Sequence, residues 1–504
     1  MKRIFTIMAL IACAITSAQN IDDVLRYSTE NVQGTARYQG MGGAFGALGG
    51  DLSALSTNPA GGAVFNNSLF TFTGTYYDRN ADAAYQGLTT TINSNSLDIN
   101  QVGGALVFKT KNQDSRWKKI SLALNYDIAQ TFDDRISASG QSNEGIDNYF
   151  LDFADGISTE DIRTRDNETL TEAYLDIGAA QGLGYPAQQA FLGFQSGIID
   201  PTPGDDTETT YISNSADSPL FQDFRQTVSG QNGKFTVNGA TQYGEKFYLG
   251  ASMHFHNVLF DRLNRYQEEA TTANAEGTRL TLENLLQTEG SGFSFGVGAI
   301  GKLSDFIRLG ASYQSPTWYR LTDNFTQRIS SNYRNRNTEI DGSPFLGTNI
   351  FDYQIKTPGK LTGSIAAVFG KNGLLSLDYG YQDFSNAELR PTSDSFFAAE
   401  NTFISERLGT VSTVRLGGEY RIERLSLRAG YRYDQSPYED GNIIGDLVGV
   451  SGGLGYNFGG SRLDFAVNRT DQDVLRYFFD TGINTPAVVN QINLNFSLGY
   501  TLNF

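Results

Sequence analysis

The last thirteen residues, INLNFSLGYTLNF (492–504), alternate without a fault. Ile492, Leu494, Phe496, Leu498, Tyr500, Leu502 and Phe504 fall on one face. Asn493, Asn495, Ser497, Gly499, Thr501 and Asn503 fall on the other. A period of two is a β-strand, and a soluble sandwich rarely ends its chain on an apolar face. In lipid every backbone N–H and C=O must be paired internally, so only helices and closed barrels cross a bilayer. We therefore read the segment as a wall strand of an outer-membrane barrel, with its apolar face turned to lipid. Its final Phe504 resembles the signal such barrels present to their assembly machinery.

The alternation recurs near 68–78, 97–109, 118–132, 232–242, 246–265, 289–302, 306–327, 351–369, 374–388, 405–421, 425–434, 445–458, 462–469 and 491–504, which makes fourteen strands. Alternate links are tight, at 243–246, 302–305, 370–373, 422–424 and 458–461. The links between them are long and polar, as at 266–288, 328–350 and 470–490. Short turns on a periplasmic rim and long loops outside are the habit of bacterial outer-membrane barrels. The expected fold is all-β, a 14-stranded antiparallel transmembrane β-barrel, with both termini periplasmic. Trp117, Trp318, Tyr319, Tyr76, Tyr77 and Tyr433 sit near strand ends and read as interfacial girdles. Pro316 and Pro437 call for a bulge or a strand end.

The 55 glycines, 26 tyrosines and 34 phenylalanines fit such a barrel better than the two or three soluble domains that 504 residues could otherwise form. A net charge of −17 excludes a nucleic-acid partner. The start, MKRIFTIMALIACAITSAQN, has a basic head, an apolar run from Ile4 to Ile15 and small residues at Thr16 and Ala18. It reads as a secretory signal peptide (1–18) cleaved after Ala18. The single cysteine, Cys13, lies inside it; the alternative is a lipobox, LIAC. Cleavage after Ala18 leaves a mature chain without thiol.

Between leader and wall lies GMGGAFGALGGDLSALSTNPAGG (40–62). Its glycines at 43, 46 and 49 follow no strand, and no lysine lies between Lys2 and Lys109, so nucleotide-binding fingerprints fail. Phe45, Leu48, Leu52 and Leu55 give the stretch one apolar side, and Pro59 after Asn58 stops a helix. The expected domains are thus a hatch (19–66) plugging the lumen and a barrel (67–504). The barrel carries a large extracellular insertion at about 133–231. Within it, Leu170, Tyr174 and Ile177 share one helical face, and Ala190, Phe191, Phe194 and Ile198 follow a helix start at Pro186. These helices either pack on each other as a lid or offer an apolar landing site, with Tyr174, Phe191 and Phe194 as candidate cargo contacts.

The segment 40–62 resembles the hatch of the FadL/TodX-type outer-membrane transporters of hydrophobic compounds, whose small-residue stretch and Asp lead to Asn-Pro-Ala. IRLGASYQSPTWY (307–319), LSLRAGYRYDQSPYED (425–440) and 357–385 are similar to that family's strands. The resemblance implies a fourteen-stranded barrel plugged by an N-terminal hatch, a gating role for Asn58, Pro59 and Ala60, and passive uptake of long-chain fatty acids or aromatic hydrocarbons. It implies capture by outer loops, a pocket above the hatch and sideways release through the wall. One departure is that the family's large outer lobes come mainly from the third and fourth loops, whereas here the largest insertion is the second.

His254 and His256, two apart on one strand, are expected to face the lumen while Leu249, Ala251, Met253 and Phe255 face lipid. They read as lumen filling or cargo contacts. Two ligands without a third make no metal site, and no cofactor is expected. No triad can be nominated, so no enzyme is expected. The reading is a monomeric outer-membrane channel of a Gram-negative bacterium, in contact with outer-membrane lipid and a hydrophobic small molecule. The rival is a barrel that holds exported proteins at the surface.

Overall fold

The computed structural model describes residues 20–112, 114–203, 207–215, 219–271, 279–333, 338–340 and 346–504. The leader, with Cys13 and the Ala18 cleavage site, lies outside the described residues. No described helix is long and apolar enough to cross a membrane.

Fourteen antiparallel strands form one closed wall. It begins with β1 (Leu69–Tyr85), β2 (Leu88–Lys109), β3 (Trp117–Thr131, resuming at Asp134–Ser142), β4 (Leu220–Tyr243) and β5 (Phe247–Ala270). It continues with β6 (Arg279–Lys302), β7 (Ile307–Gln314, then Trp318–Ser331), β8 (Leu346–Lys356, then Lys360–Phe369), β9 (Gly373–Asp383) and β10 (Thr410–Ile422). β11 (Leu425–Asp434), β12 (Leu447–Asn457), β13 (Ser461–Arg476) and β14 (Ala487–Asn503) complete it. β14 returns to pair with β1 from Asn503↔Leu69 to Val488↔Ala84. Pro316 and Pro358 lie in the breaks of β7 and β8, where a missing N–H interrupts the ladder.

The pleat sorts side chains as the alternation requires. Leu498, Tyr500, Leu502 and Phe504 are exposed on the outer wall, while Asn495, Ser497 and Thr501 are buried inside. The same rule corrects the girdles: Trp117, Trp318 and Tyr76 face outward, but their neighbours Tyr77 and Tyr319 are buried in the lumen. Adjacent residues of one strand cannot share a girdle.

The strands run further outward than hydrophobicity showed. β1 and β2 meet in a two-residue turn at Gln86–Gly87, both at positive φ (48° and 81°), so the polar stretch 79–96 is hairpin rather than loop. Residues 134–142 and 220–228 pair as wall, Asp134↔Val228 to Ser142↔Leu220, which narrows the insertion to 143–219. Hydrogen-bond ladders need no apolar side chains, so hydropathy loses a strand where it leaves the lipid.

In that insertion α1 (Asp147–Ala154), α2 (Leu170–Ala179) and α3 (Gly184–Gln195) form a cap. They share one core with Ala83 and Tyr85 of β1, Ile136 of β3, Tyr266 of β5 and Phe478. Thr169 and Glu172 cap α2 reciprocally. Glu268 ties the cap to the wall. Its Oε2 accepts from Ile146 N (3.1 Å), Gln222 Nε2 (3.1 Å) and Tyr266 Oη (2.6 Å). A further outer helix, α4 (Ser395–Arg407), follows β9.

Candidate functional site: hatch, lumen and a seam in the wall

Residues 20–65 lie within the barrel and are mostly buried. Glycines on both partners let hatch and wall touch backbone to backbone. A side chain at Gly298 would strike Asn58, and one at Gly310 would strike the Gly46 carbonyl. Asn58 is buried and fixes the corner. Its Oδ1 accepts from Ala60 N (3.0 Å), and its Nδ2 donates to the carbonyls of Gly46 (2.7 Å) and Ala299 of β6 (3.2 Å). Pro59 opens a 3-10 turn, Pro59–Val64, and its carbonyl accepts from Asn238 Nδ2 at 3.0 Å. The expected apolar side divides between two walls. Phe45 and Leu48 pack with Tyr38, Ala366 and Leu374, whereas Leu52 and Leu55 pack with Phe65, Leu69, Ala105 and Ala123.

Arg37 makes the deepest ionic anchor. Its Nε lies 3.0 Å from Glu419, which Arg428 also holds at 2.7 Å, and Arg428 reaches Asp464 at 2.8 Å. Charges this buried persist only when paired on several sides. Burial alone would lower the Arg37 pKa, yet Glu419 and Asp51 raise it above the usual arginine value.

Above this plug the chain itself fills the lumen. A helix, Ile21–Ser28, is capped by Asn20 and Asp23 in a capping box. Its Ile21, Val24, Leu25 and Tyr27 enter an apolar cluster with Phe132, Phe260, Tyr319 and Ile355. Arg26 lies over the Phe260 ring at 4.1 Å. Just beyond the helix, Glu30 meets Lys360 Nζ at 2.6 Å and Arg415 at 3.6 Å. Burial pushes its carboxyl up, but these two cations hold it well below the usual carboxylate range. A polar cavity of about 100 Å³ opens beside it, lined among others by Glu30, Asp127, Lys234, His256, Lys360 and Arg415.

The wall is interrupted between β2 and β3. β2 and β3 pair from Lys109↔Lys119 up to Gln101↔Asp127. Above that point, among the described residues, β2 pairs only with β1, and the upper part of β3 only with β4. Upper β3 turns inward to pack, without a ladder, against the β1–β2 hairpin: Ile136 and Ala138 share a core with Ala81 and Ala83. This seam opens beside Phe132, which belongs to the apolar cluster around Tyr27.

His254 and His256 both point into the lumen. His254 Nδ1 lies 2.9 Å from Thr236 Oγ1, and His256 Nδ1 lies 3.2 Å from both Asn232 Oδ1 and Tyr319 Oη. Both Nε2 atoms are buried without a partner, and His256 borders the polar cavity. Among the described residues no three His, Cys, Asp or Glu side chains converge as a metal site. Tyr174 and Phe191 are fully buried in the cap core, with Phe194 packed against it. The cap's helices therefore turn their apolar faces to each other and to the wall. Sequence reading missed the Ile21–Ser28 helix, although Asn20, Asp23 and the 21/24/25/28 spacing spell a capped amphipathic turn. It also missed the seam, which has no signature because the polar side chains around it look like any lumen face.

A sequence profile described as outer membrane protein transport protein (OMPP1/FadL/TodX) matches residues 217–474. The chain belongs to this family. Among solved structures, a FadL homologue from Pseudomonas aeruginosa aligns with a TM-score of 0.53 at 12% identity, covering 95% of this chain and 100% of that one. At that identity the likeness speaks for the fold alone. The toluene transporter TodX of Pseudomonas putida aligns at a TM-score of 0.48 and 14% identity, covering 95% of this chain and 100% of that one. No curated protein sequence matches. The family consists of outer-membrane transport proteins.

Proposed function

We propose that the protein is a passive channel for hydrophobic small molecules such as long-chain fatty acids or aromatic hydrocarbons. In this reading Asn58, Pro59 and Ala60 anchor the gate and the seam between β2 and β3 is the lateral exit. The observation that carries the reading is the seam itself: an unpaired stretch of wall beside an apolar chamber that the chain's own helix fills. At the lower end of the break, where Leu97 and Ile99 face outward, an unpaired edge is costly in lipid, so such a break needs a use. Cargo that replaces Ile21, Val24, Leu25 and Tyr27 against Phe132 and Tyr319 gains about 0.8 kcal/mol per buried methylene. The seam then offers it a path to the bilayer that bypasses the aqueous side. No step needs a cofactor, and no chemical bond changes.

The test is uptake of radiolabelled oleate and toluene by a deletion strain with and without the plasmid-borne gene. Complementation should restore uptake of at least one. Equal uptake in both strains, with surface proteins co-purifying on the barrel, overturns the reading in favour of a surface-protein holder. One observation favours that rival: the free edge of β2 from Leu88 to Ile99 carries Asp98 as its one charged residue and is open to strand addition.

A further inference from the structure

We infer that Arg79 is the bolt of the seam and that the hatch holds it shut. The inference rests on the lateral-exit reading proposed above.

Arg79 stands on β1, with its side chain on the lumen face and 8% of the residue exposed. From there its guanidinium crosses the break. Nη1 donates to Ser96 Oγ of β2 (3.5 Å), and Nη2 donates to Thr131 Oγ1 of β3 (3.2 Å). Both acceptors lie above the last β2–β3 pair, where no backbone ladder joins the strands. A planar fork of fixed geometry can span two strands in a way one ammonium cannot. Asp133, Asp134 and Asp98 act on it electrostatically, but none forms an ion pair with Arg79 among the described residues. Its hydrogen bonds go to the two hydroxyls, and the face of Tyr77 lies 5.0 Å away.

Tyr77 leads to the hatch. Its hydroxyl donates to Gln33 Oε1 at 3.0 Å. Asn100, the β2 residue just above the last pair, donates to the same Gln33 oxygen (2.6 Å) and to the Tyr77 hydroxyl, and accepts from Gly34 N. Hatch residues 33–34 thus fix Tyr77 and Asn100, and Tyr77 fixes the plane on which Arg79 lies. A shift of this hatch segment removes the platform. The guanidinium then has somewhere to go: a cavity of about 100 Å³ beside it, lined by Asn31, Asn493 and Asn495 as well as Gln33, Tyr77 and Thr131. Displacing the hatch and opening the wall become one event.

The mature chain has no native cysteine if cleaved after Ala18, so thiols can be placed cleanly. Asp98→Cys and Gln130→Cys put one on each side of the seam, both on the lumen side of the pleat. In the purified barrel a short bis-maleimide should bridge them efficiently. Adding Arg79→Ala or Gln33→Ala should lower the bridging rate several-fold. Arg79→Lys, with one donor centre, should fall between. Heat-modifiable gel mobility checks that each variant is folded. An unchanged bridging rate in both Arg79→Ala and Gln33→Ala overturns the bolt; a change in Arg79→Ala alone overturns its coupling to the hatch. The exit reading is scored separately, by oleate uptake in cells carrying the bridged pair. Uptake reduced to the deletion-strain level supports it. Uptake equal to the unbridged pair overturns the lateral exit whatever Arg79 does.

Discussion

Asn58 shows how much one side chain can decide. It joins the hatch loop at Gly46, its own turn at Ala60 and the wall at Ala299. Asn58→Ala leaves buried groups unpaired, at about 1–3 kcal/mol each. We expect residues 40–62 to become protease-sensitive while the barrel keeps its folded gel mobility; equal resistance would show that the glycine contacts hold the plug alone. Glu268 does the same for the cap. Glu268→Ala removes the acceptor for Ile146 N, Gln222 and Tyr266, and proteolysis within 143–219 should quicken several-fold. Glu30 adds a pH dependence. Its carboxyl titrates below the usual value because of Lys360 and Arg415. That contribution is therefore complete above the ordinary glutamate pKa of about 4.3 and is lost as pH falls below it. Protease sensitivity of the segment before Gln33 should rise below about pH 4 and lose that dependence in Glu30→Gln.

Among elements, the Ile21–Ser28 helix and α4 are the pieces whose displacement would change the lumen. The helix buries four apolar side chains in the upper chamber, each worth roughly 1.5–3 kcal/mol. Deleting residues 20–28 should expose that chamber and increase the fluorescence of a bound naphthylamine dye; no increase would mean that the chamber collapses without its helix. In α4, Glu400 is raised to about 7, by burial first and by Asp480 and Asp23 next. An acid raised in the folded state keeps its proton longer than the unfolded chain does. Docking of α4 is therefore firmest below about pH 4.3, weakens as pH rises to about 7 and is level above. An environment-sensitive label on Ser405→Cys should report that profile, and Glu400→Gln should flatten it.

For the whole molecule, unboiled protein should migrate ahead of boiled protein on a denaturing gel, and loss of residues 40–62 should increase leakage of small polar solutes. The number of wall strands, their two faces, the rim with short turns and the presence of a small-residue plug were all legible in the chain. Each follows from a local rule, such as the period of two in 492–504 or the stop at Asn58–Pro59, and a local rule needs no partner. The same rule placed His254 and His256 in the lumen. Other features were beyond it, because they depend on which strand fails to meet its neighbour. The polar upper halves of β1 and β2 pair without any apolar signal, and the cap turns Tyr174 and Phe191 inward against walls far away in sequence. The seam exists only because β3 bends inward above Asp127, and Arg79 spans it from a third strand. Periodicity determines which way a side chain points; only the closed barrel decides what it meets there.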